Sequence, residues 1–72
     1  MSSPLQALTR FRARLGMTQS ELAKRSGVAL RTISSIETGK HEPEPVTIGK
    51  LAQALGLEFD ELYEAIYQEA AS

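Results

Sequence analysis

The sequence lacks cysteine and tryptophan and contains a single histidine among its 72 residues. Without thiols it cannot form a disulfide framework, and His41 alone cannot supply the ligands of a usual zinc site. No apolar run approaches the roughly 20 residues that a membrane-spanning helix needs, and no secretion signal is recognisable at the N-terminus. We therefore expect a cytoplasmic protein that depends on neither disulfides, nor metals, nor a membrane.

A chain of this length can bury one hydrophobic core, so residues 1–72 are predicted to form a single domain. Such a core contributes only about 3–5 kcal/mol, and small natural proteins gain further stability from disulfides, metals or partner subunits. Because the composition excludes the first two, self-association is the expected remaining source of stability.

The net charge of -1 is unusual for a protein that binds nucleic acid, but the charge is unevenly distributed. Up to Lys40 there are seven basic and two acidic residues, whereas from His41 onwards Lys50 alone opposes seven acidic residues. This polarity predicts that the N-terminal half meets an anion and that the C-terminal half faces solvent or a partner.

Apolar residues recur at helical spacing in five segments, and no segment shows the alternation of a half-buried strand. The first helix is expected to have Ser3 as its cap residue and Pro4 at its first position, with apolar side chains at Leu5, Leu8, Phe11 and Leu15. The pair Thr18 and Glu21 has the spacing of a capping box, which predicts that the second helix begins near Gln19. The other helices are expected at about residues 30–38, 45–55 and 59–70. The predicted fold class is therefore all-α with five helices.

The segment of residues 18–38 has the features of two short helices joined by a tight turn. Packing two such helices requires a small residue at the crossing, a glycine in the turn and a branched apolar residue facing inward. Ala23, Gly27 and Ile33 meet these three requirements. The segment therefore predicts a helix-turn-helix unit within the domain.

This segment resembles the phage-repressor and Cro (Xre) family, whose pattern includes T-Q, L-A, G, I-S and I-E-x-G followed by a basic residue. The matches run in register from about Leu8 to Leu62 and include Thr18-Gln19, Leu22-Ala23, Gly27, Ile33-Ser34, Ile36 to Lys40, Pro43 and residues 50–56. The resemblance implies a compact lambda-repressor-like domain that regulates transcription, most often as a repressor. It also implies a homodimer on a palindromic double-stranded DNA operator, with the helix of residues 30–38 in the major groove.

If Ile33, Ile36 and Glu37 face the core, helical geometry directs another set of side chains outward. This set is Arg31, Ser34, Ser35 and Thr38. Arg31 is the strongest base-reading candidate in this set, because a guanidinium can bond guanine O6 and N7 together. Leu30 is expected either to touch thymine methyl groups or to belong partly to the core. The full set of base-reading candidates is Arg31, Ser35, Leu30 and Ser34.

The resemblance also implies contacts to the DNA backbone and one architectural ion pair. The expected phosphate contacts are Gln19, Thr38 and Lys40, although Glu42 and Glu44 make the loop beside Lys40 more acidic than is usual in the family. The ion pair joins Arg12 in the first helix to Glu37 at the end of the third.

The fifth helix carries a longer apolar stripe than a small core needs, formed by Phe59, Leu62, Tyr63, Ile66, Tyr67 and Ala70. Phe59 and Leu62 are expected to close the core. Tyr63, Ile66 and Tyr67 are expected at a two-fold interface, because tyrosine buries area while its hydroxyl stays hydrated. The alternative is that the stripe folds back on its own domain.

Two other classes of function compete with a simple regulator. A protein-interaction module could use the same helical fold and the acidic C-terminal half. Among DNA-binding proteins, a restriction-modification controller or an antitoxin also fits the pattern. An enzyme is not expected, because no nucleophile with a base, paired carboxylates or phosphate loop can be assembled. Nor does the sequence indicate a cofactor or a small-molecule ligand.

Overall fold

The computed structural model describes the backbone of residues 6–71 and the side chains of residues 7–68. Within that part of the chain there are five α-helices and no strand: α1 (Gln6–Arg14), α2 (Gln19–Ser26), α3 (Leu30–Glu37), α4 (Pro45–Leu55) and α5 (Phe59–Ala71). The predicted all-α fold with five helices is confirmed for this part of the chain. Ser3, Pro4 and Leu5, where the first helix was expected to begin, and the side chain of Ala70 lie outside the described residues.

A capping box starts α2, as its sequence predicts. The hydroxyl of Thr18 accepts a hydrogen bond from the backbone N–H of Glu21 at 3.0 Å, and the Glu21 carboxylate accepts one from the backbone N–H of Thr18 at 2.9 Å. The hydrogen bond from the Thr18 backbone N–H to the carboxylate, with a further contribution from the Thr18 side chain, holds the pKa of Glu21 below its ordinary value. Gly27 ends the helix with φ of 77°, in the left-handed region that glycine adopts without strain.

The core is built from side chains of all five helices. Six large residues are completely buried: Leu8, Leu22, Ile33, Ile36, Leu51 and Leu62. Helix α3 lies against α1 and α2. Helices α4 and α5 pack on each other, and in addition α4 packs on α2 and α5 packs on α1. Because α3 packs mainly through one side, its opposite side is left at the surface.

Two apolar residues are at the surface: Leu15, which was expected on the apolar spacing of the first helix, and Phe59, which was expected to close the core. Leu15 is 52% exposed, because α1 ends at Arg14 and Leu15 lies in the turn that follows. Phe59 is 39% exposed, and Leu62 rather than Phe59 closes the core.

Ile66 was placed with Tyr63 and Tyr67 at an interface, and this placement is wrong for the folded chain. Ile66 is only 4% exposed and belongs to the core. The physical reason is that the stripe of α5 consists of two neighbouring rows of side chains four residues apart. Leu62 and Ile66 form the inner row, and Phe59, Tyr63 and Tyr67 form the outer one.

Candidate nucleic-acid interface

The free side of α3 displays the residues that were expected to meet DNA. Arg31 is exposed, Leu30 is 45% exposed, and Ser34 and Ser35 are partly buried. On the other side of the helix Ile33 and Ile36 are fully buried and Glu37 is 8% exposed, as helical geometry predicts. The structure thus brings the four base-reading candidates onto one helix whose surface is available to a groove.

Thr38 uses its hydroxyl within its own helix. Its Oγ1 donates to the carbonyl oxygens of Ser34 at 3.0 Å and of Ser35 at 3.2 Å. A hydroxyl has one proton to donate, so a phosphate contact from Thr38 would require this bond to break. Among the three candidates for phosphate contacts, Thr38 is therefore the one whose only side-chain donor is already engaged within the protein.

The Arg12 guanidinium joins three elements at once. Its Nε and Nη2 donate to the two carboxylate oxygens of Glu37 at 2.9 and 3.0 Å, and its Nη1 donates to the backbone carbonyl of Met17 at 2.9 Å. The side chain of Arg12 is 17% exposed and that of Glu37 is 7% exposed. This bidentate pair connects α1, the α1–α2 turn and the end of α3, and so fixes the orientation of α3 in the domain.

Gln19 takes part in the same cluster. Its amide nitrogen Nε2 donates to Glu37 Oε1 at 2.9 Å, which ties the first residue of α2 to the last residue of α3. One of its two amide N–H groups is used in this bond and the other is available to a phosphate. Only the phosphate role of Gln19 was predicted from the sequence, because no local pattern connects residues 18 positions apart.

Electrostatics keep this cluster charged at neutral pH. Burial of the Glu37 carboxylate acts to raise its pKa, but hydrogen bonds from Arg12, Gln19 and Thr9 outweigh it and hold the pKa below its ordinary value. The hydrogen bond to Glu37 raises the pKa of Arg12. Each charge thus stabilises the other, and both remain ionised.

Lys40 is exposed in the turn after α3, where the backbone N–H of Lys40 bonds to the carbonyl of Ser35 at 2.9 Å. Gly39 allows this turn with φ of 79°. Gln19, through its bond to Glu37, and Lys40, in the turn that follows, therefore both lie near the C-terminal end of α3. Contacts of these residues with the DNA backbone would set the position of the helix. Glu42 and Glu44 are exposed in the loop that follows.

A second surface lies on the outer row of α5. The Phe59 and Tyr63 rings stack with centroids 5.5 Å apart, and the Tyr63 and Tyr67 rings stack 5.8 Å apart. Beside this aromatic row is an open cavity of about 180 Å³, lined by Glu42, Pro43, Pro45, Ile48, Tyr63, Ile66 and Tyr67. Val46, for which the sequence pattern predicted no role, is 70% exposed on α4.

The described part of the chain has neither a helix with the length and hydropathy for crossing a bilayer nor a group of three or more metal-binding side chains.

Comparisons with known proteins agree with this geometry. The sequence model of a family described as helix-turn-helix matches residues 8–62. The HTH-type transcriptional regulator y4dJ of Sinorhizobium fredii is 43% identical over 53 residues, which cover 74% of this chain and 69% of that protein. The HTH-type transcriptional repressor RghR of Bacillus subtilis is 42% identical over 71 residues, which cover 96% of this chain and 53% of that protein.

Among solved structures, the restriction-modification controller protein C.AhdI from Aeromonas hydrophila matches with a TM-score of 0.77 and 36% identity. The match covers 81% of this chain and 88% of that chain. Together these findings confirm the predicted all-α fold and the predicted resemblance to the phage-repressor and Cro (Xre) family.

Proposed function

Because this chain belongs to the helix-turn-helix family, whose relatives are named transcriptional regulators, we propose that it binds double-stranded DNA sequence-specifically with α3 in the major groove. The observation that carries the proposal is the free side of α3: its inner side is buried against the core, and its outer side exposes Arg31 beside Leu30. Because the inner side of α3 is packed against the core, its outer side can place the Arg31 guanidinium against base edges.

The proposed contacts divide by role. Arg31 reads a guanine, with Ser34 and Ser35 able to bond bases or phosphates beside it. Gln19 and Lys40, both near the C-terminal end of α3, contact the DNA backbone and set the position of the helix along the groove. The basic N-terminal part of the chain supplies the attraction to DNA that a net charge of -1 would otherwise oppose.

Selection of bound duplexes from a random library tests this function. We expect enrichment of one common sequence, which the protein should bind about 10³-fold or more tightly than a scrambled duplex of the same composition at physiological salt. The scrambled duplex is the matched control. Equal affinity for both duplexes, or a library that stays random after repeated rounds, would show that the chain does not recognise a DNA sequence.

The proposed active form is a two-fold symmetric homodimer on a palindromic operator. The domain measures 31 × 22 × 22 Å, so one copy covers one stretch of groove, whereas two copies can place their α3 helices about 34 Å apart in successive major grooves. The aromatic row of α5 supports this arrangement because Tyr63 is 39% and Tyr67 is 64% exposed. Stacked tyrosines bury a large area in a partner at little cost in side-chain entropy.

Sedimentation of the parent and of the double variant Tyr63→Ala, Tyr67→Ala tests the dimer. The parent is expected to sediment as a dimer at micromolar concentration, and the variant to dissociate at least about tenfold more readily, since hot-spot aromatic residues typically contribute 2 kcal/mol or more. Leu15→Ala, at another exposed apolar residue, is the control and should leave the dimer intact. A parent that stays monomeric at high micromolar concentration, both free and on its operator, would contradict the proposal.

Two observations bear on the kind of regulator. RghR, about half of whose length aligns with this chain, is named a repressor. We therefore propose that this chain represses transcription. C.AhdI is a restriction-modification controller, and the match covers 88% of its chain. A controller is therefore the second candidate. Binding of the purified chain to DNA upstream of its own coding sequence would favour self-regulation, whereas no binding there would argue against a controller that acts on its own promoter.

A further inference from the structure

The entrance to α3 is apolar and open. Ala29 is the N-cap residue and makes no side-chain hydrogen bond to the helix, and it is exposed. Leu30, the first residue of the helix, is 45% exposed. We call these two residues the apolar lip.

The apolar lip is not explained by the stability of the domain. A serine, threonine or aspartate in place of Ala29 would satisfy a free N–H group of α3, as Thr18 does for α2. A polar residue in place of Leu30 would remove exposed apolar area at the same helical position. Both positions therefore carry side chains that fit an apolar contact better than they fit water.

The position of the lip next to Arg31 indicates what that contact is. Adjacent side chains of an α-helix point about 100° apart around its axis, and consecutive base pairs are about 3.4 Å apart along the DNA axis. With Arg31 on a guanine, the side chain of Leu30, at the N-terminal end of α3 and about 100° round the helix from Arg31, is directed to one side of that guanine, within reach of a neighbouring base pair. In the major groove the apolar feature of a base pair is the C5 methyl group of thymine.

We propose, on the basis of the function proposed above, that Ala29 and Leu30 pack on the C5 methyl group of the pyrimidine next to the guanine that Arg31 reads. The contact selects for a methyl group on the ring and does not use the hydrogen-bonding edge of the base. The protein should consequently accept thymine and 5-methylcytosine at this position and disfavour uracil and unmethylated cytosine. A regulator with this preference binds a methylated cytosine site more tightly than the unmethylated one.

Duplexes that differ by one methyl group test the proposal. The starting duplex is the selected operator, and the relevant guanine is the one whose preference is lost in Arg31→Ala. At each pyrimidine next to that guanine, thymine is exchanged for uracil, and cytosine for 5-methylcytosine, symmetrically in both half-sites. Affinities are measured by fluorescence anisotropy for the parent, for Leu30→Ala and for Leu15→Ala, which removes an equally large exposed side chain away from α3.

The parent is expected to lose about fourfold in affinity per half-site when thymine becomes uracil, and to gain a similar factor when cytosine becomes 5-methylcytosine. In Leu30→Ala both factors should fall below about twofold, whereas Leu15→Ala should keep the parent's factors. Specific binding with no methyl effect at any such position, or an effect that persists in Leu30→Ala, would overturn the inference and leave the proposed function standing. If the parent selects no sequence at all, the proposed function fails and the inference fails with it.

Discussion

Arg12→Ala is expected to lower the free energy of unfolding by about 3 kcal/mol, because it leaves the buried Glu37 carboxylate without its charged partner. Glu37 is only 7% exposed at its side chain, and without the two hydrogen bonds from Arg12 its carboxylate keeps hydrogen bonds from the uncharged Gln19 and Thr9 alone. The loss is comparable with the entire stability of a core of this size, which is about 3–5 kcal/mol. The variant should therefore be partly unfolded at room temperature.

The two partners should not be equivalent. In Glu37→Ala the guanidinium of Arg12 is 17% exposed and retains its bond to the Met17 carbonyl, so we expect a smaller loss than in Arg12→Ala. Urea denaturation measures both losses, and a thermal melt should show a shift of about 12–24 °C for the larger one. Arg31→Ala removes an exposed arginine and is the control, with a change within about 0.5 kcal/mol. An Arg12→Ala melt that coincides with that of the parent would show that the pair does not hold α3 in place.

Acid should weaken the same cluster. The pKa of Glu37 in the folded chain is lower than its ordinary value of 4.5, so the folded state favours the ionised form. The stability that this contributes is fully present above pH 4.5 and is lost as the pH falls through the lower folded pKa. Glu37→Gln cannot titrate, so the stability of this variant should change less with pH in that range than the stability of the parent does.

Local chemistry made α2 predictable, since Thr18 and Glu21 satisfy each other's backbone groups and Gly27 takes a conformation that ends a helix. The inner side of α3 was predictable for a similar reason: three residues at helical spacing are enough to orient a short helix. Arg12 and Glu37 were paired through the family resemblance, not through any local pattern.

The errors arose where tertiary packing decides between neighbouring rows of one helix. Phe59 and Ile66 both lie on the apolar stripe of α5, and periodicity alone could not tell which row would face the core. The hydrogen bond between Gln19 and Glu37 was missed because it depends on how α2 and α3 cross. The packing of α5 leaves the aromatic row of Phe59, Tyr63 and Tyr67 at the surface. The bond to Glu37 gives Gln19, a candidate for a phosphate contact, a fixed orientation.

Arg31→Ala is expected to weaken binding to the selected operator about 5- to 140-fold, which corresponds to the 1–3 kcal/mol of a bidentate contact to guanine. Because Arg31 is exposed on the free side of α3, its loss should not disturb the core. The variant should also lose its preference at one base pair in each half-site and keep the preference elsewhere. Competitive binding to the operator and to its single-base variants measures both effects.

Lys40→Ala should behave differently, because a phosphate contact carries no sequence information. We expect weaker binding to all sequences alike and a salt dependence whose logarithmic slope falls by about one per contact. Lys50→Ala, at an exposed lysine on α4, is the matched control and should leave the slope unchanged. If Arg31→Ala keeps the full base preference of the parent, Arg31 does not read a base. If Lys40→Ala keeps the parent's slope, the loop is not on the DNA backbone, which is the result to expect if Glu42 and Glu44 hold it away from the phosphates.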